Sequence, residues 1–185
     1  EKISIPHTAR IENLVVIKQF QGISWYQKKF TVSNSTNKKV FLYFEGVMQE
    51  ADVWINDQKV ANHKGGYLPF TVDVTNFLKS KGNTIKVKVN NEDNPNFLPG
   101  KPIKDLDFNY YGGIYRNVYL ITTDKLYITN AIQADKIASG GIFVNFDNIN
   151  KEKASGTVQV HFRNEDTTDK KASLKFILTD NEGNR

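Results

Sequence analysis

The 185-residue sequence contains no cysteine. That one absence excludes disulfides, thiolate metal sites and cysteine nucleophiles. No apolar run approaches the roughly 18 residues of a membrane helix, so no membrane partner is expected. The opening Glu1-Lys2-Ile3 shows neither an initiator Met nor a signal-peptide pattern, and residues are expected to precede it in the native protein. Missing cysteine leaves the compartment open, with a periplasmic or secreted location expected over a cytoplasmic one. Helical periodicity is nearly missing too: no long window places apolar residues at i, i+3, i+4 and i+7. Nor is charge of one sign concentrated. The net charge is +5, but basic residues come as singles or as pairs such as Lys28-Lys29, Lys38-Lys39 and Lys170-Lys171. Without a basic stripe, nucleic acid is not an expected partner.

What is present is aromatic and strand-forming. Twelve Phe, eight Tyr and two Trp are too many for a disordered chain and suit strands. Short alternating segments are punctuated by turn residues. Residues 25–32 alternate and run into the turn cluster 33–37; residues 40–44 are almost continuously apolar and predict a strand buried on both faces. Asp52-Val53-Trp54-Ile55, then Asn56-Asp57, then Gln58-Lys59-Val60 predicts a hairpin, because Asn and Asp tolerate the positive φ of a tight turn. Gly65-Gly66 and Gly140-Gly141 read as turns through glycine's φ freedom. Residues 70–74 predict a strand leading into a helical turn capped by Thr75. Residues 84–89 follow, with Ile85, Val87 and Val89 facing one way. Residues 114–121 close this set as a strand. Further strands are expected at 127–134, 142–146, 156–162 and 172–178. The pattern indicates an all-β sandwich over residues 1–123 and a second, shortened sandwich over 124–185, since an immunoglobulin-like domain needs about 100 residues. An unfinished sandwich would expose a strand edge.

Self-contained catalytic machinery is not apparent. His7, His63 and His161 are far apart and fit no metal-ligand spacing, and no nucleophile elbow, phosphate loop or dinucleotide fingerprint occurs. No cofactor or metal is expected. Glycosidases need a carboxylate pair, but Glu92 and Asp93 would point to opposite faces of a strand, and Asp105 and Asp107 suit a solvated loop. The region 90–108 stands apart, with Pro95, Pro99, Gly100 and Pro102 and no periodicity; loops this long are often functional. It combines Asn90, Asn91, Asp93, Asn94 and Asn96 with Phe97, Phe108, Tyr110 and Tyr111. Amide and carboxylate groups match sugar hydroxyls, and aromatic faces cover a sugar's apolar side. The alternative is a structural loop, in which Asn and Asp make turns and the aromatics serve the core. Both remain open from the residues alone.

Several ordered motifs then carry a resemblance. Gly46-Val47-Met48-Gln49-Glu50-Ala51-Asp52-Val53-Trp54-Ile55-Asn56, followed by His63-Lys64-Gly65-Gly66-Tyr67 and Phe70, resembles the sugar-binding domain of glycoside hydrolase family 2. So does Tyr111-Gly112-Gly113-Ile114-Tyr115-Arg116-Asn117-Val118-Tyr119-Leu120. Ile5-Pro6-His7-Thr8-Ala9-Arg10 and Gly22-Ile23-Ser24-Trp25-Tyr26-Gln27-Lys28-Lys29-Phe30 are similar to that family's opening segment, nearest to its bacterial β-galactosidases. The resemblance covers residues 3–121, and the region from Leu126 resembles the family's immunoglobulin-like domain. It implies a jelly-roll (galactose-binding-like) sandwich, with both catalytic glutamates in a downstream (β/α)8 barrel, so that this segment alone is non-catalytic. It implies a β-galactoside as the carbohydrate partner, and a homo-oligomer in some members. By its place after residues 85–89, Asp93 matches the family's substrate-contacting aspartate, with Asn91 the second choice. Arg116 is expected to make a structural ion pair, in the interior or at an interface. The alternatives are a stand-alone carbohydrate-binding module and a β-glucuronidase or β-mannosidase segment.

Overall fold

In the computed structural model, which describes residues 1–11, 19–33, 37–106, 108, 111–137 and 140–184, alternating strands form two antiparallel sheets. They are β1 (Ile23–Phe30), β2 (Lys39–Phe44), β3 (Glu50–Ile55), β4 (Gln58–Lys64), β5 (Phe70–Asp73), β6 (Asn83–Asn90) and β7 (Val118–Thr123). One sheet has the order β1-β6-β3-β4 and the other β5-β2-β7. Their facing sides bury one core that includes Val40, Leu42, Phe44, Val53, Ile55, Val72, Val87 and Val89. Each such side chain contributes about 1.5–3 kcal/mol through lost water contact. The result is an all-β sandwich consistent with the jelly roll.

Local chemistry explains the joints. The β3–β4 hairpin turns at Asn56 (φ 49°) and Asp57 (φ 68°), as the sequence predicts. Asn56 does more than tolerate the turn: its Nδ2 donates to the Phe77 carbonyl and Asn83 Oδ1, and its Oδ1 accepts from Thr84 N–H. The helical turn after β5 is a 3-10 turn at Thr75–Phe77. Its expected cap, Thr75, is instead the first residue of the turn, which has Val74 at its N-cap position and no side-chain cap; Asp73 Oδ1 accepts from Thr75 N–H at 3.0 Å and from its hydroxyl at 2.6 Å. Thr75 Oγ1 is occupied across the sheet, accepting from Val40 N–H.

Beyond β7 lie β8 (Leu126–Ile128), helix α1 (Ala131–Ala134), β9 (Ile142–Ile149), β10 (Ala154–Val160) and β11 (Phe162–Asn164). β9 pairs with β10, and β8 with β11. Three expectations are corrected here. The strand at 127–134 stops at Ile128, because Asn130 Oδ1 accepts from Ile132 and Gln133 N–H and so starts a helical turn. Residues 172–178 alternate suitably but form no strand; no partner ladder reaches them among the described residues. The strand expected at 114–121 begins only at Val118, since Gly113 is held by an isolated bridge to Met48. Part of the turn cluster, residues 34–36, lies outside the described residues.

The outer face of the three-stranded sheet is where this later region attaches. Phe41 is buried against Tyr127, ring centroids 5.6 Å apart, so β2 is covered on both faces as its apolar run predicts. Lys39 Nζ bridges Asp73 (2.5 Å) and Glu165 (2.6 Å), and Tyr127 Oη donates to Glu165 Oε1 at 2.6 Å.

Candidate functional site

The connections after β2, β4 and β6 and the segment before β1 gather at one end of the sandwich. The last of these connections, from Asn91 onward, is the long loop singled out in the sequence. Three side chains fix its base.

Asn91 continues the inward row of Val87 and Val89 and is buried, 3% exposed. Its Oδ1 accepts from Gly22 N–H at 2.9 Å, and its Nδ2 donates to the Phe20 carbonyl at 2.8 Å. Gly112 packs directly on this amide: a Cβ there would stand 2.4 Å from Asn91 Cγ. Gln49 lies on the inward parity of Ala51, Val53 and Ile55 and is 1% exposed. Its Nε2 donates to the Leu98 carbonyl at 3.1 Å and the Phe97 carbonyl at 3.5 Å. Asp93 is exposed, two residues beyond Asn91. Its Oδ1 accepts from Gln21 Nε2 at 2.5 Å and Ile103 N–H at 3.1 Å. One carboxylate thereby joins both arms of the loop to the segment preceding β1.

Most of the loop's other amides make turns. Asn90 Oδ1 accepts from Glu92 N–H, and Asn94 Oδ1 from both nitrogens of Asn96. Phe97 is half-buried beneath Lys64 Nζ, 6.0 Å from the ring centroid, while Phe108 is exposed. Asp107 and Tyr110 lie outside the described residues.

The neighbouring connections are braced against each other by close approach. Tyr115 Oη donates to the Gly66 carbonyl at 2.5 Å. Gly66 itself sits where a Cβ would meet the Met48 sulfur at 2.2 Å, so a larger residue there would have to displace the end of the Met48 side chain. Of the two settings expected for Arg116, an interior or an interface ion pair, the interior one does not apply. Arg116 is exposed, stacks over the Tyr115 ring at 5.8 Å and takes part in no ion pair among the described residues. A guanidinium can remain hydrated while covering an aromatic face.

The histidines are structural. His63 stacks on Phe70 (centroids 4.2 Å, 13°), and burial lowers its pKa against the opposing backbone hydrogen bonds of Gly65 and Leu68. His7 Nδ1 lies 3.0 Å from Tyr26 Oη, and His161 Nδ1 2.8 Å from Thr129 Oγ1. Among the described residues no cluster of three or more His, Asp and Glu could hold a metal ion. A cavity of about 1260 Å³ opens elsewhere, between residues 1–9, β1 and β7; it is lined by core groups such as Leu42, Phe44 and Val87, and no residue of loop 91–106 borders it.

Gln49 was not foreseen as a site residue. Its signal was the period-two parity of β3, extended back one step onto a polar residue that must then find buried partners.

Comparison with known proteins places this geometry. Residues 5–124 match the family described as glycosyl hydrolases family 2, sugar binding domain. A β-glucuronidase of Formosa agariphila is 38% identical over 173 residues, covering 89% of this chain and 17% of the relative. A β-galactosidase of Thermoanaerobacter pseudethanolicus is 34% identical over 176 residues, covering 82% and 23%. The crystal structure of a putative β-galactosidase from Bacteroides fragilis superposes with a TM-score of 0.76 at 34% identity, over 89% of this chain and 24% of that one. The chain thus spans a quarter or less of the length of these proteins. It belongs to glycoside hydrolase family 2, with residues 5–124 matching that family's sugar-binding domain.

Proposed function

We propose that this chain forms one wall of the substrate pocket of a retaining glycosidase, with residues 1–123 as a jelly-roll sugar-binding domain and 124–185 as part of an immunoglobulin-like sandwich. The catalytic carboxylates, about 5 Å apart for retention, belong to a (β/α)8 barrel, whose sites lie at the C-terminal ends of its strands. Asp93 projects to that site and accepts hydrogen bonds from sugar hydroxyls. Asn91 and Gln49 hold the loop that carries it.

The observation that supports this most is the fixed Asp93 carboxylate, set by Gln21 and Ile103 on a loop whose base is clamped by buried amides. A preoriented acceptor loses little freedom when substrate arrives, which is the proximity contribution to rate. The substrate is a terminal β-galactoside or β-glucuronide. The sequence motifs point to the galactoside, while a relative named β-glucuronidase supports the glucuronide.

The test is Asp93→Ala in the full-length protein, assayed on aryl β-galactoside and aryl β-glucuronide. A hydrogen bond to a charged group contributes about 1.5–3 kcal/mol. The expected loss in kcat/KM on the true substrate is therefore about 10- to 150-fold. Unchanged kcat/KM would remove Asp93 from the site.

A further inference from the structure

Both tryptophans of the chain, Trp25 and Trp54, stand on the outer face of the four-stranded sheet, away from the core. Trp25 is 60% exposed, and its ring centroid lies 5.3 Å from that of Trp54 at an interplanar angle of 33°. Trp54 is half-buried beneath this contact, so the Trp25 ring is the more open of the two and contributes less to folding than a core indole would.

The strand register shows what surrounds them. One row across the sheet reads Trp25, Lys88, Asp52, Asn62; the next reads Gln27, Lys86, Trp54, Lys59. With Lys29 and Lys64 in the flanking rows, five lysines share this face with two acids, Glu50 and Asp52. Lys59 is paired with Asp52 at 2.6 Å, and Lys86 with Asp57 of the hairpin turn at 2.6 Å. Lys29, Lys64 and Lys88 take part in no ion pair among the described residues, so the face keeps an excess of positive charge. These lysines come from three strands, β1, β4 and β6, which is why no basic stripe shows along the sequence.

We propose that this face binds a polysaccharide bearing carboxylate groups, with the two indoles as stacking platform and the lysines, Lys88 foremost, pairing its carboxylates. Indole faces offer apolar area to the C–H side of sugar rings; Lys59 Nζ lies over the Trp54 ring, 5.7 Å from its centroid, which leaves the Trp25 face as the more open part of the platform. Asn62 Nδ2 is already given to Glu50 Oε1 (3.1 Å) and Asp52 Oδ1 (2.8 Å), so the Asn62 carbonyl oxygen and the Gln27 amide are the groups left to meet hydroxyls between the charged positions. The surface uses no residue of loop 91–106 and stands independently of the Asp93 assignment.

The test is titration of the 185-residue chain with polygalacturonate fragments by calorimetry at low salt, with tryptophan fluorescence read in parallel, since both reporters lie in the patch. The expected result is saturable binding with a fluorescence change, weakened at least tenfold by Trp25→Ala and by Lys88→Glu in variants with unchanged denaturant midpoints, and unaffected by Asp93→Ala. Absence of saturable binding would overturn the proposal. So would equal affinity for a neutral galactan or an oligonucleotide, or undiminished binding by Trp25→Ala. Loss on Asp93→Ala would move the binding to the loop and equally overturn the surface.

Discussion

Replacing Asn91 by Ala tests whether the loop base is held as the geometry indicates. The change deletes an acceptor for Gly22 N–H and a donor to the Phe20 carbonyl at a position 3% exposed. Each partner left unsatisfied costs about 1–3 kcal/mol, toward the lower figure where water reaches it. Both partners here are part-buried, so the expected loss is about 2–4 kcal/mol, a fall in Tm on the order of 10 °C. Asn91→Asp sharpens the test. It keeps the acceptor for Gly22 but sets a carboxylate oxygen against the Phe20 carbonyl, which burial and the facing oxygen both oppose. The folded pKa of that Asp would lie above its unfolded value near 3.9. The folded state then binds more protons than the unfolded one, so stability falls as pH rises from about 4 through the raised folded pKa. Urea melts from pH 4 to 8 should show Asn91→Asp approaching the wild type at the acid end and resembling Asn91→Ala at the alkaline end. A loss under about 0.5 kcal/mol for Ala, or a pH-independent deficit for Asp, would refute the clamp.

Gln49→Ala frees the Phe97 and Leu98 carbonyls; limited proteolysis should cut within residues 91–106 faster, with a global loss of about 1–2 kcal/mol. Gly112→Ala should cost about 1–3 kcal/mol by denaturant melt, because its Cβ would overlap the Asn91 amide. Lys39→Met should raise the pH at which acid unfolding begins. Burial pushes the Asp73 and Glu165 carboxyls up, but hydrogen bonds from Lys39, with Thr75 and Tyr127, outweigh it and hold both below their usual values. Their stabilisation is present above the unfolded pKa and disappears as pH falls through the folded one, so removing Lys39 moves that loss to higher pH, as circular dichroism during acid titration would show.

The sandwich was legible because its strands alternate against turns whose chemistry is local. Asn56-Asp57 encode their own positive φ, and residues 40–44 announce two buried faces. Parity also carried further than expected, since the inward rows of β3 and β6 run on to Gln49 and Asn91. What the sequence hid depends on partners distant along the chain. Residues 172–178 have a strand's alternation without a ladder, and Asn130 diverts its segment into a helical turn through a side-chain bond that periodicity does not register. Asp93 keeps its place after β6, but its tie to Gln21 spans 72 residues, beyond any local pattern. The lysine face was invisible for the same reason, since neighbours across a sheet are scattered along the chain.

The inward row of β6 starts at Asn83 and runs one residue past the strand's end to Asn91, an amide at either end with Ile85, Val87 and Val89 between them. Alternation alone guards a strand only against slipping by odd steps, which would drive Lys86 and Lys88 inside. A slip of two would preserve the parity of the valines, yet carry one amide toward the oily middle and draw the other past its bonding partners. The paired amides act as a length gauge, fixing the strand's longitudinal setting, and through it the height at which everything after residue 90 leaves the sheet.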